Sequence, residues 1–316
     1  MAKKIIAVVG ATGAQGGGLA RAILSDKGSE FAVRAITRNP QSDKAKALAA
    51  QGAEVAQADL DDRASLEKAF KGAYGAFCVT NFWEHFSAEK EKAQAKTLAE
   101  AAHAAGIQHA IWSTFEDTRT HIPLDDKRMP TLQGKYKVPH FDAKAEADAF
   151  FRDLKVPTTF LLTSGYYENF IGFGWGPQKG PDGKLVVVFP LDDVKMPMIA
   201  VEDIGKCAYG IFKRGKEYIG KTLGVAGEHL SGGEMAAALS KALGKTIAYN
   251  AVPADVYRGF GFPGADEVGN MFQFKRDFAD VYRKHRSLEE SRRLNPELKT
   301  LAQWLGEHAA KIPMPQ

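Results

Sequence analysis

Ile5-Ile6-Ala7-Val8-Val9-Gly10-Ala11-Thr12-Gly13-Ala14-Gln15-Gly16 is an apolar run that breaks into three evenly spaced glycines. The run reads as a buried strand and Gln15–Asp26 as a helix, so the glycines occupy a strand-to-helix turn. Glycine there lets the backbone approach a pyrophosphate, whose charge then meets the helix N-terminus. The spacing is GxxGxxG rather than GxGxxG, and a glycine turn can also serve only to pack a helix on a strand. Its place between a strand and a helix is what favours a dinucleotide.

The same rhythm continues outward from this turn. Ala32–Thr37, Glu54–Gln57, Tyr74–Thr80 and Ile107–Ser113 read as strands, and Gln41–Ala50, Asp62–Phe70 and Ala88–Ala105 as the helices between them. Such alternation with short connections is the sequence form of a parallel sheet covered by helices on both faces. It breaks at Thr114–Pro139, a stretch with no apolar period, and loops of that length are usually functional or disordered. Helix Phe141–Leu154 and strand Thr158–Thr163 resume it. Beyond Gly165 the texture changes. Gly165–Gly183 is rich in Gly, Tyr and Phe, as a pocket wall is, and further strands are expected at Lys184–Phe189, Thr222–Ala226 and Thr246–Val252. Helices are expected at Val201–Phe212 and Gly232–Leu243, and the last sixty residues read as mainly helical. The natural division is a nucleotide-binding domain over 1–164 and a smaller C-terminal domain over 165–316, with some segments returning to the first.

The strand ends carry the candidate ligands. No acid occurs between Ala32 and Gln41, where an NAD site places one on the adenosine ribose, and Arg38 stands at the strand's end. A guanidinium there can hold a 2′-phosphate, so the site reads as NADP(H) over NAD. Asp59 can accept from an adenine amine and Leu60 can pack on the ring, although an aspartate here also suits a helix N-cap, a role for which Asp61 is better placed. Thr80, Asn81 and Phe82 end the fourth strand on the edge where α/β sheets bind ligands.

A reducing site usually needs an acid for the developing alkoxide, often a tyrosine with a lysine one helical turn on. Here Lys144 is present and His140 fills the tyrosine position. Histidine can give a proton near neutral pH, but the favoured reading is that Lys144 serves only as a cofactor anchor beside an incidental His140. Tyr166, Tyr167 and Asn169 follow the sixth strand and are further candidates for the nicotinamide end, with Tyr166 a third candidate acid.

Composition narrows the alternatives. The chain has 316 residues, a net charge of +4 and two cysteines, Cys78 and Cys207, too few for a disulfide framework or a four-cysteine zinc site. Its eight histidines form no HExxH pair, so no metal site is expected, and there is neither a GxSxG elbow nor a P-loop. The longest apolar runs, Ile5–Ala11 and Leu185–Leu191, are well short of the ~20 residues that span a bilayer, and no signal peptide is evident. A cytoplasmic protein without membrane contact is expected. Much of the basic excess lies in Lys275–Lys299, with eight Lys/Arg against five Asp/Glu, and that interleaving reads as a solvated helix face rather than a direct nucleic-acid surface.

Several stretches together resemble the NmrA-like family, atypical members of the short-chain dehydrogenase/reductase superfamily, and within it the NADPH-sensing, HSCARG-type subgroup. They are GATGAQGG at 10–17, VRAITRNP at 33–40, GAEVAQADLDD at 52–62, VTNFWE at 79–84, HFDAKAE at 140–146, YYENF at 166–170, GFPGADEVGNMFQF at 261–274 and LNPELKTLAQWL at 294–305. The resemblance implies a Rossmann-type doubly wound parallel sheet with a smaller α+β C-terminal region for substrate or partner. It also implies NADP(H) contacts at Gly10, Ala11, Thr12, Gly13, Ala14, Gln15, Arg38, Asn39, Asp59, Leu60, Thr80, Asn81, Phe82, Lys144, Tyr166, Tyr167, Glu168 and Asn169. Relatives carry basic residues just after the Asn-Pro at 39–40, where this chain has Gln41, Ser42 and Asp43, so Arg38 must do more alone. Two functions follow from the family: the one expected is a sensor of the NADPH/NADP ratio working through a protein partner, with a homodimer as one option, and the alternative is an NADPH-dependent reductase of a small quinone or carbonyl. The missing tyrosine favours the sensor; Lys144, His140 and the aromatic Gly165–Gly174 segment favour the enzyme.

Overall fold

The structure, a computed structural model, describes residues 2–315. Strands and helices alternate through the first half: β1 (Lys4–Val9), α1 (Ala14–Ser25), β2 (Phe31–Thr37), α2 (Asp43–Ala50), β3 (Glu54–Gln57), α3 (Arg63–Phe70), β4 (Gly75–Cys78), α4 (Ala88–Ala104), β5 (His109–Thr114), α5 (Pro139–Asp153) and β6 (Thr158–Leu162). The second half adds β7 (Gly165–Tyr166), α6 (Asn169–Gly172), β8 (Gln178–Lys179), β9 (Leu185–Phe189), β10 (Met196–Ile199), α7 (Val201–Arg214), β11 (Thr222–Gly224), β12 (Glu228–Leu230), α8 (Gly232–Leu243), β13 (Ile247–Ala251), α9 (Ala254–Arg258), α10 (Ala265–Asp277), α11 (Ala279–Lys284), α12 (Leu288–Leu294) and α13 (Leu301–His308).

Seven strands make one parallel sheet in the order β11-β6-β5-β4-β1-β2-β3. Its central strands are apolar on both faces because both are covered. Along β1, Ile6 and Val8 enter the core under α1 and α7, while Ala7 and Val9 enter the one under α3, α4 and α5. This is the doubly wound arrangement expected. The order reverses where β1 lies between β4 and β2, and that reversal opens a crevice at the strands' C-terminal edge.

The chain leaves the large sheet after β6 and returns to it at β11. Between and beyond these points it builds two three-stranded sheets, β12-β10-β7 and β13-β9-β8, around a third core that includes Trp175, Phe189, Met235, Phe272 and Trp304. β10 was not expected. Its Met-Pro-Met-Ile sequence has little strand character, yet all four residues are buried and pair with β7 on one side and β12 on the other. Tertiary packing decides that strand, not propensity.

The long stretch 114–139 is an ordered strap rather than a free loop. The buried Asp142 carboxylate accepts from the Thr118 N–H and hydroxyl at 2.8 and 2.6 Å and from the Lys137 and Val138 N–H groups at 2.8 and 3.1 Å. From α10, Asn270 donates to the Pro130 and Lys137 carbonyls and Gln273 to that of Arg128. The strap thus ties α5 to α10, the two helices that meet at the site described below.

The basic stretch 275–299 also departs from expectation. It is not a solvated face throughout: Arg286 and Lys275 are buried, and Arg293 and Lys299 are paired with Glu217 and Glu307. Cys78 and Cys207 are buried free thiols whose pKa burial pushes up, so neither is a nucleophile. Among the described residues no helix is long and apolar enough to cross a membrane, and no group of three or more His, Cys, Asp or Glu is placed to hold a metal ion.

Candidate functional site

A single cleft of about 710 Å³ runs along the C-terminal edge of the large sheet and into the C-terminal region. Its floor at one end is the glycine turn. Gly10 takes a φ of +63°, and its carbonyl accepts from the Gly13 N–H at 2.8 Å, which closes the turn. Gly16 must be glycine because a Cβ would lie 2.5 Å from the Val9 carbonyl oxygen. Helix α1 then begins with no side-chain cap and no acid in its first turn, leaving its first N–H groups for a ligand anion. Gln15 donates from Nε2 to the Tyr166 hydroxyl at 2.7 Å, while its Oε1, also buried, has no partner. An uncapped helix start beside an orphaned buried acceptor fits a dinucleotide pyrophosphate and the amide or hydroxyl donors attached to it.

At the outer end of the trench Arg38 reaches the cleft, but its guanidinium is paired with Glu84 from the short turn after β4. No acid stands near Arg38 in sequence; the fold brings one. The fold also brings Lys44, which lines the same end although it lies beyond the segment that looked short of basic residues. Arg38 is therefore not the lone cation there. Asn39, Asp59 and Leu60 line the trench as well. The N-cap of α3 is Asp62, which accepts from the Ser65 N–H at 3.3 Å, and not Asp61, whose own N–H is bound by Asp59. Asp62 is the residue that directly precedes the first helical turn, which is where a cap must stand.

In the middle of the cleft α5 presents His140 and Lys144, one turn apart. The Lys144 ammonium lies 2.6 Å from the Thr80 hydroxyl and 2.7 Å from Glu91 Oε1. Glu91 is fully buried in the first turn of α4. Burial alone would raise its pKa, but the facing Lys144, with His85 and Thr80, outweighs that and holds it down at about 2. His140 is fixed differently: its Nδ1 and its backbone N–H both meet Glu267 Oε1, at 2.5 and 2.6 Å. Glu267 lies in the first turn of α10, so a residue 127 positions away in sequence orients the ring. That leaves Nε2 as the nitrogen able to exchange a proton. Burial pushes the Tyr166 hydroxyl pKa upward.

Past His140 the cleft becomes a chamber lined by aromatic rings. Phe115 stacks on Phe141 with centroids 4.0 Å apart, and Trp83 packs on His140 and Phe173 at 4.9 and 5.1 Å. Trp175 closes one side, and Val268, Met271 and Lys275 project from one face of α10.

Most of the residues read from the sequence thus meet in one space: Gly10, Thr12, Gly13, Ala14, Gln15, Arg38, Asn39, Asp59, Leu60, Thr80, Asn81, Phe82, His140, Lys144, Tyr166 and Asn169. Ala11, Tyr167 and Glu168 do not line it. Ala11 packs under α1 and α7. Tyr167 donates to Glu228 at 3.2 Å, and Glu168 accepts from the Val201 N–H and the Trp304 indole at 3.0 and 2.9 Å, so both tie β7 to later elements. Glu84, Glu91, Glu267, Lys44 and Lys275 were not anticipated. The partners of Glu84, Glu91 and Glu267 lie on other elements, and no local spacing marks Lys44 or Lys275 as cleft residues.

The family model for the NmrA-like family matches residues 2–305. A curated relative, the NmrA-like family domain-containing oxidoreductase FrzB of Cladobotryum sp, is 30% identical over 297 residues, covering 88% of this chain and 85% of that protein. The NmrA-like family domain-containing protein DDB_G0286605 of Dictyostelium discoideum is 28% identical over 300 residues, covering 91% and 93%. Among solved structures, the negative transcriptional regulator NmrA superposes with a TM-score of 0.76 at 26% identity over 97% of this chain and 95% of that one, both in complex with NAD and in complex with NADP. With the fold, the glycine turn and the match all in agreement, the chain belongs to the NmrA-like family.

Proposed function

We propose that this protein is an NAD(P)H-dependent reductase of a small carbonyl or quinone. The observation that carries the reading is the continuity of the cleft, which joins an uncapped helix start to an aromatic chamber through His140 and Lys144. Crystals of NmrA with NAD and with NADP, and relatives named as oxidoreductases, add support. On this reading Gly10 to Gln15 hold the pyrophosphate, Arg38, Asn39 and Lys44 the adenosine phosphate and ribose, and Thr80 to Phe82, Lys144, Tyr166 and Asn169 the nicotinamide end. These residues would hold a reduced nicotinamide, whose chemistry there would be the supply of a hydride to a carbonyl carbon. His140 gives the proton that the carbonyl oxygen takes up, and Glu267, bound at Nδ1, orients the ring. Lys144, held by Glu91 and Thr80, fixes the ribose and keeps a positive charge beside the reacting oxygen. The chamber walls exclude water.

Steady-state oxidation of NADPH with a panel of quinones, aromatic aldehydes and enones tests this. Turnover with some member of the panel, lost in Lys144→Ala, is the expected result. NADPH is expected to bind more tightly than NADH at fixed salt; equal affinity contradicts the role given to Arg38.

A second reading, the redox sensor of the HSCARG-type subgroup acting through a protein partner or a second copy, is favoured by the Arg38–Glu84 pair. A 2′-phosphate competing for Arg38 would release Glu84 and with it the turn that carries the exposed Phe86. Hydrogen exchange over residues 82–86 distinguishes the two: faster exchange with NADP than with NAD favours the sensor, and identical exchange counts against it.

A further inference from the structure

Among the described residues Lys275 is the one cation of the chamber, and nothing in the reductase mechanism above uses it. It is 3% exposed, projects from the same face of α10 as Val268 and Met271, and lines the cleft. The polar contact made by its amine is the Met271 thioether at 3.3 Å. Otherwise it sits among rings, 5.7 Å from the centroid of Phe141, 5.9 Å from Phe272 and 5.5 Å from Tyr282. The carboxylate that acts on it, Glu116, is already engaged by both terminal guanidinium nitrogens of Arg286, with His285 3.4 Å away. Arg286 itself repels a charge on Lys275. The Trp175 side chain lines the same chamber, and its indole N–H is buried without a partner. The Tyr282 hydroxyl, on a ring facing Lys275, is likewise buried without a partner. Native structures rarely leave such groups unpaired, and a cluster of them calls for an explanation.

The explanation that fits is a ligand with the complementary shape and charge. We propose that the chamber takes a flat aromatic carboxylate whose anionic oxygens are received by the Lys275 amine and the Trp175 N–H. The walls select the flat ring, and the donors select the charge. A carboxylate is favoured over a phenol because a phenol, with pKa near ~10, is neutral under ordinary conditions. The distance along α10 from Glu267, which holds His140, to Lys275 is eight residues, or about 12 Å. Two fused rings fill such a span, with the acid at one end and the reacting carbon near His140 at the other. The inference rests on the reductase reading only in taking the chamber as substrate space, since binding at Lys275 requires no turnover.

The amine's state gives the interaction a pH signature. Burial, then Arg286, pulls the Lys275 pKa down to about 7. The carboxylate draws the charged form, so binding takes up a proton above that pH. Affinity for the acid should then fall by up to about tenfold for each pH unit above neutrality.

Calorimetric titration of the full-length protein with 2-naphthoate and with the isosteric 2-naphthamide, in saturating NADP, tests the proposal. The acid is expected to bind at least about tenfold more tightly than the amide at pH 6.5, in keeping with a charge-assisted contact. The preference should shrink toward pH 9 and vanish in Lys275→Met, while the amide and the cofactor bind the variant as they bind the wild type. Equal affinity for acid and amide in the wild type, no binding by either, or a preference that survives in Lys275→Met overturns it. Melting curves show whether Lys275→Met is folded, and the pH series on the unmodified protein stands whatever that variant does. Naphthoate binding without any carbonyl turnover would sink the reductase reading and leave this one standing. Turnover of neutral carbonyls with no preference for acids would do the reverse.

Discussion

Two buried lysines face the same cleft and are held in opposite ways. Lys144, in the nucleotide half, sits in a ring of partners: Glu91, the Thr80 hydroxyl and the Thr80 carbonyl. Lys275, in the aromatic chamber, has aromatic faces and a thioether. A paired buried charge is permanent equipment, fixed before any ligand arrives. An unpaired one is an unmet demand that a ligand can satisfy. Under the reading proposed above, the trench is preorganised for one recurrent molecule and the chamber is specialised toward a particular substrate.

Removing each lysine should separate these roles. Lys144→Met leaves Glu91 buried without its counter-charge and should cost about 3–5 kcal/mol in urea denaturation, most of it recovered when Glu91→Gln is added. Lys275→Met, by contrast, should be neutral or stabilising near neutral pH. A loss at Lys275 as large as that at Lys144 would erase the distinction. For catalysis, His140→Phe should lower turnover about a hundredfold or more without a matching loss of cofactor affinity, as removal of a positioned acid does.

Acid and alkali sharpen the same comparison from opposite sides. Glu91 is held at about 2 in the folded protein against an ordinary value of 4.5, so the stability it contributes is complete above 4.5 and lost as pH falls toward 2. Lys275 is lowered to about 7 from 10.5. Its folded-state penalty is complete below pH 7 and is relieved as pH rises toward 10.5. The difference in melting temperature between Lys275→Met and wild type should therefore favour the variant at pH 7 and close by pH 10. A constant difference would contradict the burial of a chargeable amine.

The smallest effects are expected at the outer end of the trench. Arg38→Ala should narrow the preference for NADPH over NADH about tenfold, the scale of one charge-assisted contact, and Lys44→Ala by less because its side chain is exposed. Glu84→Gln should widen the gap a few-fold, since it frees Arg38 from a competing acid.

How much was legible follows from how local each signal is. The strand, glycine turn and helix at Lys4–Ser25 are contiguous, so periodicity and the glycines are enough to read them, and each strand end inherits its place from the same rhythm. His140 and Lys144 were legible because one helical turn joins them. Glu267 and Glu91 were not, because each earns its role through a partner on another element. β10 escaped because burial rather than sequence makes Met196–Ile199 a strand. Asp62 rather than Asp61 caps α3 because the helix begins one residue later than expected, at Arg63 rather than Asp62. Lys275 lay inside a stretch whose mixed charges read as solvated. Only the fold turns that side chain inward.

The central claim is that one cleft brings a nicotinamide hydride to an aromatic carbonyl beside His140. Its most direct measurement is isotope transfer: incubate the protein with NADPH carrying deuterium at the transferable position of the nicotinamide and a series of aromatic aldehydes, and analyse the products by mass spectrometry. The account predicts an alcohol with one deuterium on the carbinol carbon, formed by wild type and suppressed in His140→Phe. NADPH that binds in the same samples yet delivers no deuterium to any aldehyde, ketone or enone would contradict it.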